Sequence, residues 1–316
     1  MFTYSTVEVL DGGGGTRPGY NSSYHDLVTY TALRRMPYPS DRVASARMVR
    51  DDELGVLVNI NGWCDAGANE LFPSRLAPVQ ISYMGYPGSM GSNVWTDILV
   101  SDSIASPPEW EAHYTEKLML VPNSYYMNDF PYQFPDVGLF ANASHAAAIA
   151  NMTRADFGLP EDAFVFVCFS RAEKIQRSLF YSWLEILRRT PRSVLWLLRD
   201  TKSKTAGETI VTSSFHAAAA AGGVDPSRII FADSIGWKEH VRRGALADLF
   251  LDTWAYNAHS TGCNSLWAGV PLLTKAEIKM AARVAAGMNR AAEADVYTAR
   301  TREEYVEIAV CQEFRV

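Results

Sequence analysis

Between Phe164 and Leu273 the chain alternates short apolar runs with segments of helical spacing, and this alternation restricts the fold more than any other feature. Phe164 to Phe169 (FVFVCF), Ser193 to Leu198 (SVLWLL), Arg228 to Phe231 (RIIF), Leu249 to Leu251 and Pro271 to Leu273 are each of strand length. Strands apolar on both faces are buried on both, the condition of a parallel sheet covered by helices. The segments between them read as those helices. Leu179, Trp183, Ile186 and Leu187 recur on one helical face, Ala217 to Ala221 are strong helix formers, and another helix is expected near Ser265 to Ala268. The class is therefore α/β. Ligands of such sheets bind beyond the carboxyl ends of the strands, which directs attention to the loops after Phe169, Phe231 and Asp252.

Upstream, Gly55 to Ile60 (GVLVNI), Val79 to Met84 (VQISYM) and Ile98 to Val100 are further candidate buried strands, and Met1 to Val9 is another. The run Gly12 to Gly15 is followed by Arg17-Pro18-Gly19 without GK[ST], so it reads as a flexible loop rather than a phosphate cradle. Pro131 and Pro135 argue against a regular element there, and the Ala-rich stretch His145 to Ala150 suggests a helix after them.

A length of 316 residues suits about two domains of roughly 150 residues each. With 29 Lys+Arg against 35 Asp+Glu, the net charge of −6 speaks against a general nucleic-acid-binding surface. No apolar stretch approaches the ~18 to 20 residues of a membrane span, and Met1 to Asp11 lacks the pattern of a secretory signal. Cys64, Cys168, Cys263 and Cys311 are scattered, which fits reduced thiols in an intracellular protein rather than a zinc site or a disulfide framework. On that reading the sequons at Asn21, Asn142 and Asn151 are incidental.

Three segments at strand ends carry candidate chemistry. In Ser170-Arg171-Ala172-Glu173-Lys174, the lysine can place a compact positive charge on a phosphate, although taken alone it reads as a solvated surface residue. In Lys238-Glu239-His240-Val241-Arg242-Arg243, His240 and Arg243 share a helical face and suit an aromatic base with a carbonyl edge; a solvated amphipathic helix is the plainer alternative. In Asn257-Ala258-His259-Ser260-Thr261-Gly262, hydroxyls and free N–H groups at a helix start suit an anion, and a plain N-cap by Ser260 or Thr261 is compatible with that. Together they describe a nucleoside-diphosphate site that requires no metal cage.

These residues resemble the catalytic region of the O-linked N-acetylglucosamine (O-GlcNAc) transferases. The likeness runs from about Gly55 to Val310. It is carried by Val58-Asn59-Ile60-Asn61-Gly62, Asn69-Glu70-Leu71-Phe72, Ala77-Pro78-Val79-Gln80, Gly85-Tyr86-Pro87-Gly88, Gly158-Leu159-Pro160-Glu161-Asp162-Ala163, Ser193 to Arg199, Glu239 to Gly244 and Leu266-Trp267-Ala268-Gly269. The resemblance implies two Rossmann-like domains of the GT-B type: 1–135, incomplete; a connection over 136–160; and a nucleotide-sugar-binding domain over 161–316. It implies inverting, metal-independent transfer of GlcNAc from UDP-GlcNAc to Ser/Thr hydroxyls of cytoplasmic or nuclear proteins, with no cofactor and no nucleic-acid or membrane partner. Lys174 would neutralise the departing diphosphate, which His259, Ser260 and Thr261 would bind. His240 and Arg243 would hold the uracil, with the backbone of Ile235, Gly236 and Trp237 and with Val241 and Arg242 beside them. Tyr86 and Pro87 would face the sugar and acceptor.

The departures from the family pattern are specific. Arg171 stands where animal members have Gln, Asn264 where they have the Asp that meets the ribose, and Trp237 where they have Lys. The family's first strand and its histidine-bearing loop find no counterpart, so the first domain is expected to be incomplete, and His25 reads as a surface histidine. Two alternatives follow: a UDP-binding interaction protein without transfer activity, and a relative that uses GDP-fucose.

Overall fold

The structure is a computed structural model that describes residues 2–5, 32–64, 67–134, 137, 152–199 and 206–313. The Gly12–Gly15 run, His25, the stretch His145–Ala150 and the three sequon asparagines lie outside the described residues. The chain divides into two compact units, Met1–Tyr126 and Met127–Val316. Among the described residues no helix is long and apolar enough to cross a membrane.

In the first unit, β1 (Phe2–Ser5) pairs in parallel with β2 (Ala32–Arg35). A separate parallel sheet holds β3 (Val56–Asn59), β4 (Val79–Ser82), β5 (Ile98–Asp102) and β6 (Lys117–Val121) in sequence order. Helix α1 (Arg42–Asp51) starts where the Asp41 carboxylate accepts from the Ala44 N–H at 2.8 Å, a side-chain cap for an orphan donor. Its Val49 joins Leu71 and Leu76 in a small core against which Leu57 packs. The register Val56–Val79, Val58–Ile81, Ile81–Ile98 and Val100–Met119 puts these side chains on one face of the sheet. Gln80, Ser82, Leu99 and Ser101 belong to the other face and are buried. Gln80 is fully engaged there: its Nε2 donates to the carbonyls of Phe72 and Trp95, and its Oε1 accepts from the Leu76 N–H.

The second unit is built on a six-stranded parallel sheet. Its order is β12 (Thr298–Ala299), β11 (Leu272–Lys275), β10 (Leu249–Leu251), β7 (Phe164–Cys168), β8 (Ser193–Leu198) and β9 (Ile229–Ala232). The apolar runs form the central strands, and every residue of β7 and β10 is buried. Helix α3 (Arg177–Arg189) buries Leu179, Trp183, Ile186 and Leu187, the face its spacing predicts. Helix α8 (Arg302–Glu313) meets it, with Trp183 Nε1 donating to Tyr305 Oη at 3.1 Å and Arg302 reaching Glu185 and Ser182.

Between α1 and α3 lies one element that the sequence reading excluded. Helix α2 (Phe130–Gln133) forms despite Pro131, because proline in a first turn removes an N–H that would have no partner anyway. It belongs to the second unit: Phe130 and Phe134 pack with Trp237 and Trp267, and Trp267 Nε1 donates to the Phe134 carbonyl at 3.1 Å. The remaining helices are α4 (Ala206–Ala221), α5 (Trp237–Gly244), α6 (Ser260–Trp267) and α7 (Val284–Ala291).

Candidate functional site

Strand order fixes where the site lies. From β7 the chain runs outward through β8 and β9, then returns to place β10 on the other side of β7 and continues to β11 and β12. The direction therefore reverses between β7 and β10. The loops leaving the carboxyl ends of these two strands diverge there and open a crevice. Those loops carry Lys174 and the segment Asp252–His259.

Lys174 Nζ donates to the Asn257 carbonyl at 3.1 Å and sits 4.0 Å from the centre of the Tyr256 ring. Burial lowers its pKa, and the nearby Asp252 charge works against that fall. Tyr256 stacks on His259 with ring centres 4.8 Å apart. His259 Nε2 lies 3.2 Å from the Ala281 carbonyl; a carbonyl only accepts, so this nitrogen carries the proton. Burial and the Lys174 charge push the imidazole down to about 3, so His259 is neutral at ordinary pH. His259 occupies the N-cap position of α6, and no side chain caps this helix. The first-turn N–H groups of α6 and the hydroxyls of Ser260 and Thr261 thus lie at a helix start of the kind that suits an anion, on a loop that also meets Lys174.

The second part of the site is a small cavity lined by Val167, Phe169, His240, Val241, Phe250, Thr261 and Asn264, with Gly244 and Ser265 completing it. Helix α5 supplies His240 and Val241, while α6 supplies Thr261 and Asn264. Asn264 is buried, and neither atom of its amide group has a protein partner. Arg243, expected to present its guanidinium fork to a base, is instead wholly buried and is absent from the cavity lining. It lies against Phe169, Trp196 and Phe157, donates to the Asp233 carbonyl at 2.7 Å, and places its other terminal nitrogen 2.8 Å from His240 Nδ1. Arginine has no acceptor, so Nδ1 accepts and Nε2 carries the His240 proton. Burial and the neighbouring Arg243 charge push His240 down to about 4 and keep it neutral.

The remaining expected residues are more peripheral. Arg171 is exposed and ion-paired with Glu173 at 3.1 Å. Ile235 is exposed, Gly236 occupies the N-cap position of α5, and Arg242 lies 3.9 Å from Glu239 on the same helix. Trp237 packs into the aromatic cluster with Phe130 and Phe134. Tyr86 and Pro87 belong to the first unit, in the loop after β4, where a Cβ on Gly62 would run into Tyr86.

Residues 37–148 and 140–313 match the model of glycosyl transferase family 41. The chain belongs to this family. It is 42% identical over 245 residues to a probable UDP-N-acetylglucosamine–peptide N-acetylglucosaminyltransferase SEC of Arabidopsis thaliana, covering 78% of this chain and 23% of that protein. It is 27% identical to the UDP-N-acetylglucosamine–peptide N-acetylglucosaminyltransferase of Caenorhabditis elegans, covering 98% of this chain and 34% of that one. The family-41 chain thus spans about a quarter to a third of the length of these relatives. A solved Thermobaculum terrenum O-GlcNAc transferase mutant aligns with a TM-score of 0.80 at 24% identity, over 98% of this chain and 53% of that chain. The fold is thus α/β, with Rossmann-like units of the GT-B type.

In the sequence Asp252 marks only a strand end and Asn257 only the start of the third segment, and neither is given a role there. A carboxylate closing an apolar strand and followed by threonine is the one local sign that Asp252 holds a loop.

Proposed function

We propose that this chain is a protein O-GlcNAc transferase catalytic region that moves GlcNAc from UDP-GlcNAc to Ser or Thr hydroxyls of cytoplasmic or nuclear proteins, with inversion and without a metal. One observation carries the reading. Lys174, the uncapped start of α6 and the cavity bearing His240 and Asn264 converge at the single point where the strand order reverses.

In this reading the diphosphate rests on the α6 start, with Lys174 beside it. The base lies against neutral His240, whose Nε2–H donates, and the buried amide of Asn264 meets the ribose. The acceptor oxygen forms a bond to the anomeric carbon from the face opposite the diphosphate as the bond to the β-phosphate oxygen breaks, and the hydroxyl proton passes to water. Negative charge grows on the departing diphosphate, so a fixed ammonium and oriented N–H groups bind the transition state more tightly than the ground state. These groups occupy the place a divalent cation would otherwise take, and transfer is therefore expected to persist in a chelator.

Lys174→Met tests the assignment. Transfer from UDP-GlcNAc to a Ser/Thr peptide, measured by product mass, should fall about 10²- to 10³-fold, the loss typical of removing one fixed donor of this kind. Thermal unfolding should stay cooperative, which shows that the loss of transfer is not a loss of the fold. Undiminished transfer in Lys174→Met would overturn the diphosphate site. GDP competing as well as UDP in a binding titration would favour a fucosyl donor instead, and tight UDP binding without turnover would leave a nucleotide-binding protein.

A further inference from the structure

We infer that Asp252 is a positioning residue: it folds the loop Thr253–His259 around its own carboxylate and holds the Lys174 side chain as an ammonium. The inference rests on the reading of Lys174 above and adds a residue to it. Asp252 is fully buried at the end of β10. Its Oδ1 accepts from the N–H groups of Thr253 at 2.7 Å and Ala258 at 2.6 Å, and its Oδ2 accepts from Thr274 Oγ1 at 2.6 Å. Its backbone carbonyl accepts from Tyr305 Oη at 3.1 Å, and that hydroxyl in turn accepts from Trp183 Nε1. One residue therefore gathers donors from β11, from α8 and from both ends of the loop. The loop so closed presents the Asn257 carbonyl to Lys174 and leads into the His259 cap of α6.

Asp252 makes no direct ion pair with Lys174, yet of the charges around the lysine it opposes the loss of its proton most strongly. From β7, Cys168 is wholly buried and its thiol is pushed up to about 12, so it is uncharged. His259, at the start of α6, is held neutral down to about 3. On the lysine's own segment, Arg171 and Glu173 are exposed and paired with one another. Tyr256 presents its ring face to the ammonium. Among the described residues, Asp252 is the charged side chain that remains. Burial pushes it up to about 7, while its three donors and the Lys174 charge favour the carboxylate. Without that carboxylate, burial would act on Lys174 unopposed and favour the neutral amine, which cannot meet a diphosphate.

Asp252→Asn separates charge from scaffolding, because the asparagine carbonyl can still accept from Thr253 and Ala258 while the negative charge is gone. Two readouts decide. In the unliganded protein, carbon-13 reductive methylation gives a Lys174 resonance identified by its loss in Lys174→Met. Its titration midpoint should fall in Asp252→Asn. UDP binding by calorimetry should match the wild type at pH 6 and weaken as pH rises, about tenfold for each unit by which that midpoint falls. An unchanged Lys174 midpoint would overturn the inference. Wild-type protein that binds no UDP at any pH would instead overturn the nucleotide reading, leaving the lysine titration to decide the role of Asp252. If Asp252→Asn does not fold, the reciprocal experiment serves: linkage requires that Lys174→Met raise the Asp252 carboxyl midpoint seen by carbon-13 NMR, and no rise would refute the pairing.

Discussion

The two parallel sheets of this chain treat their faces in opposite ways. In the second unit β7 and β10 are buried throughout, and their side chains are almost all apolar. In the first unit the buried face carries Gln80, Ser82 and Ser101 beside Leu99, while Val56 is 51%, Val58 44% and Met119 45% exposed on the other. Gln80 and Ser101 are tolerable on that face because they are paired: Gln80 uses both ends of its amide, and Ser101 donates to Ser106 at 2.7 Å. The contrast teaches that sharing a fold class does not mean sharing a source of stability. The second sheet is held by apolar burial and can support unpaired polar atoms beside its central strands, such as the Asn264 amide of α6. The first depends on directed hydrogen bonds.

The strongest test of that contrast is Phe166→Ala, at the centre of β7. It should cost about 3 to 5 kcal/mol in urea denaturation, the usual result of emptying an aromatic site in a packed core. A cost under about 1 kcal/mol would mean that this sheet is not the rigid one.

Acid comes next. His240 and His259 sit at about 4 and about 3 against an ordinary 6.5, so the unfolded chain takes up protons first. Their contribution is complete above pH 6.5 and is lost as pH falls from there towards 4. Asp252, pushed up to about 7, acts in the opposite sense over the same range, but two depressed histidines outweigh one raised carboxyl. The melting temperature should therefore fall between pH 6.5 and 4, and a flat profile would contradict the buried, neutral state of both rings.

Tyr305→Phe should cost about 1 to 3 kcal/mol, because the Trp183 N–H loses its acceptor in the interior. An effect near zero would show that α8 is held by packing alone. The smallest effect belongs to the first sheet. Val58→Thr on its exposed face should change stability by no more than about 0.5 kcal/mol, whereas a loss above about 1 kcal/mol would reveal that this face is covered in solution.

How much of this could be read from sequence followed the same division. SVLWLL and LFL coincide with strands, and FVFVCF overruns its strand by one residue, because a strand buried on both faces is a continuous apolar word. The helix through Leu179 and Trp183 was legible from its spacing. Strand β6 (KLMLV) was missed: it begins with a lysine, and much of it is exposed. Helix α1 was missed because its charged residues leave only a narrow apolar stripe. At the site, the spacing of His240 and Arg243 gave a shared helical face but not its direction, so the inward turn of Arg243 onto Phe169 needed the structure. Asp252 was illegible for another reason. Its role depends on Thr274 and Ala258, which approach it only after the sheet has formed.

The aromatic cluster of Phe130, Phe134, Trp237 and Trp267 has an optical consequence. Two indoles stand there, one at the first residue of the helix that carries His240 and the other hydrogen-bonded to the backbone just after α2. Any shift of that helix as a nucleotide enters must change the surroundings of Trp237, and with them its emission wavelength. On the proposed reading Trp237 is therefore a fluorescent gauge of nucleotide entry, and Trp237→Phe marks which part of the signal comes from it.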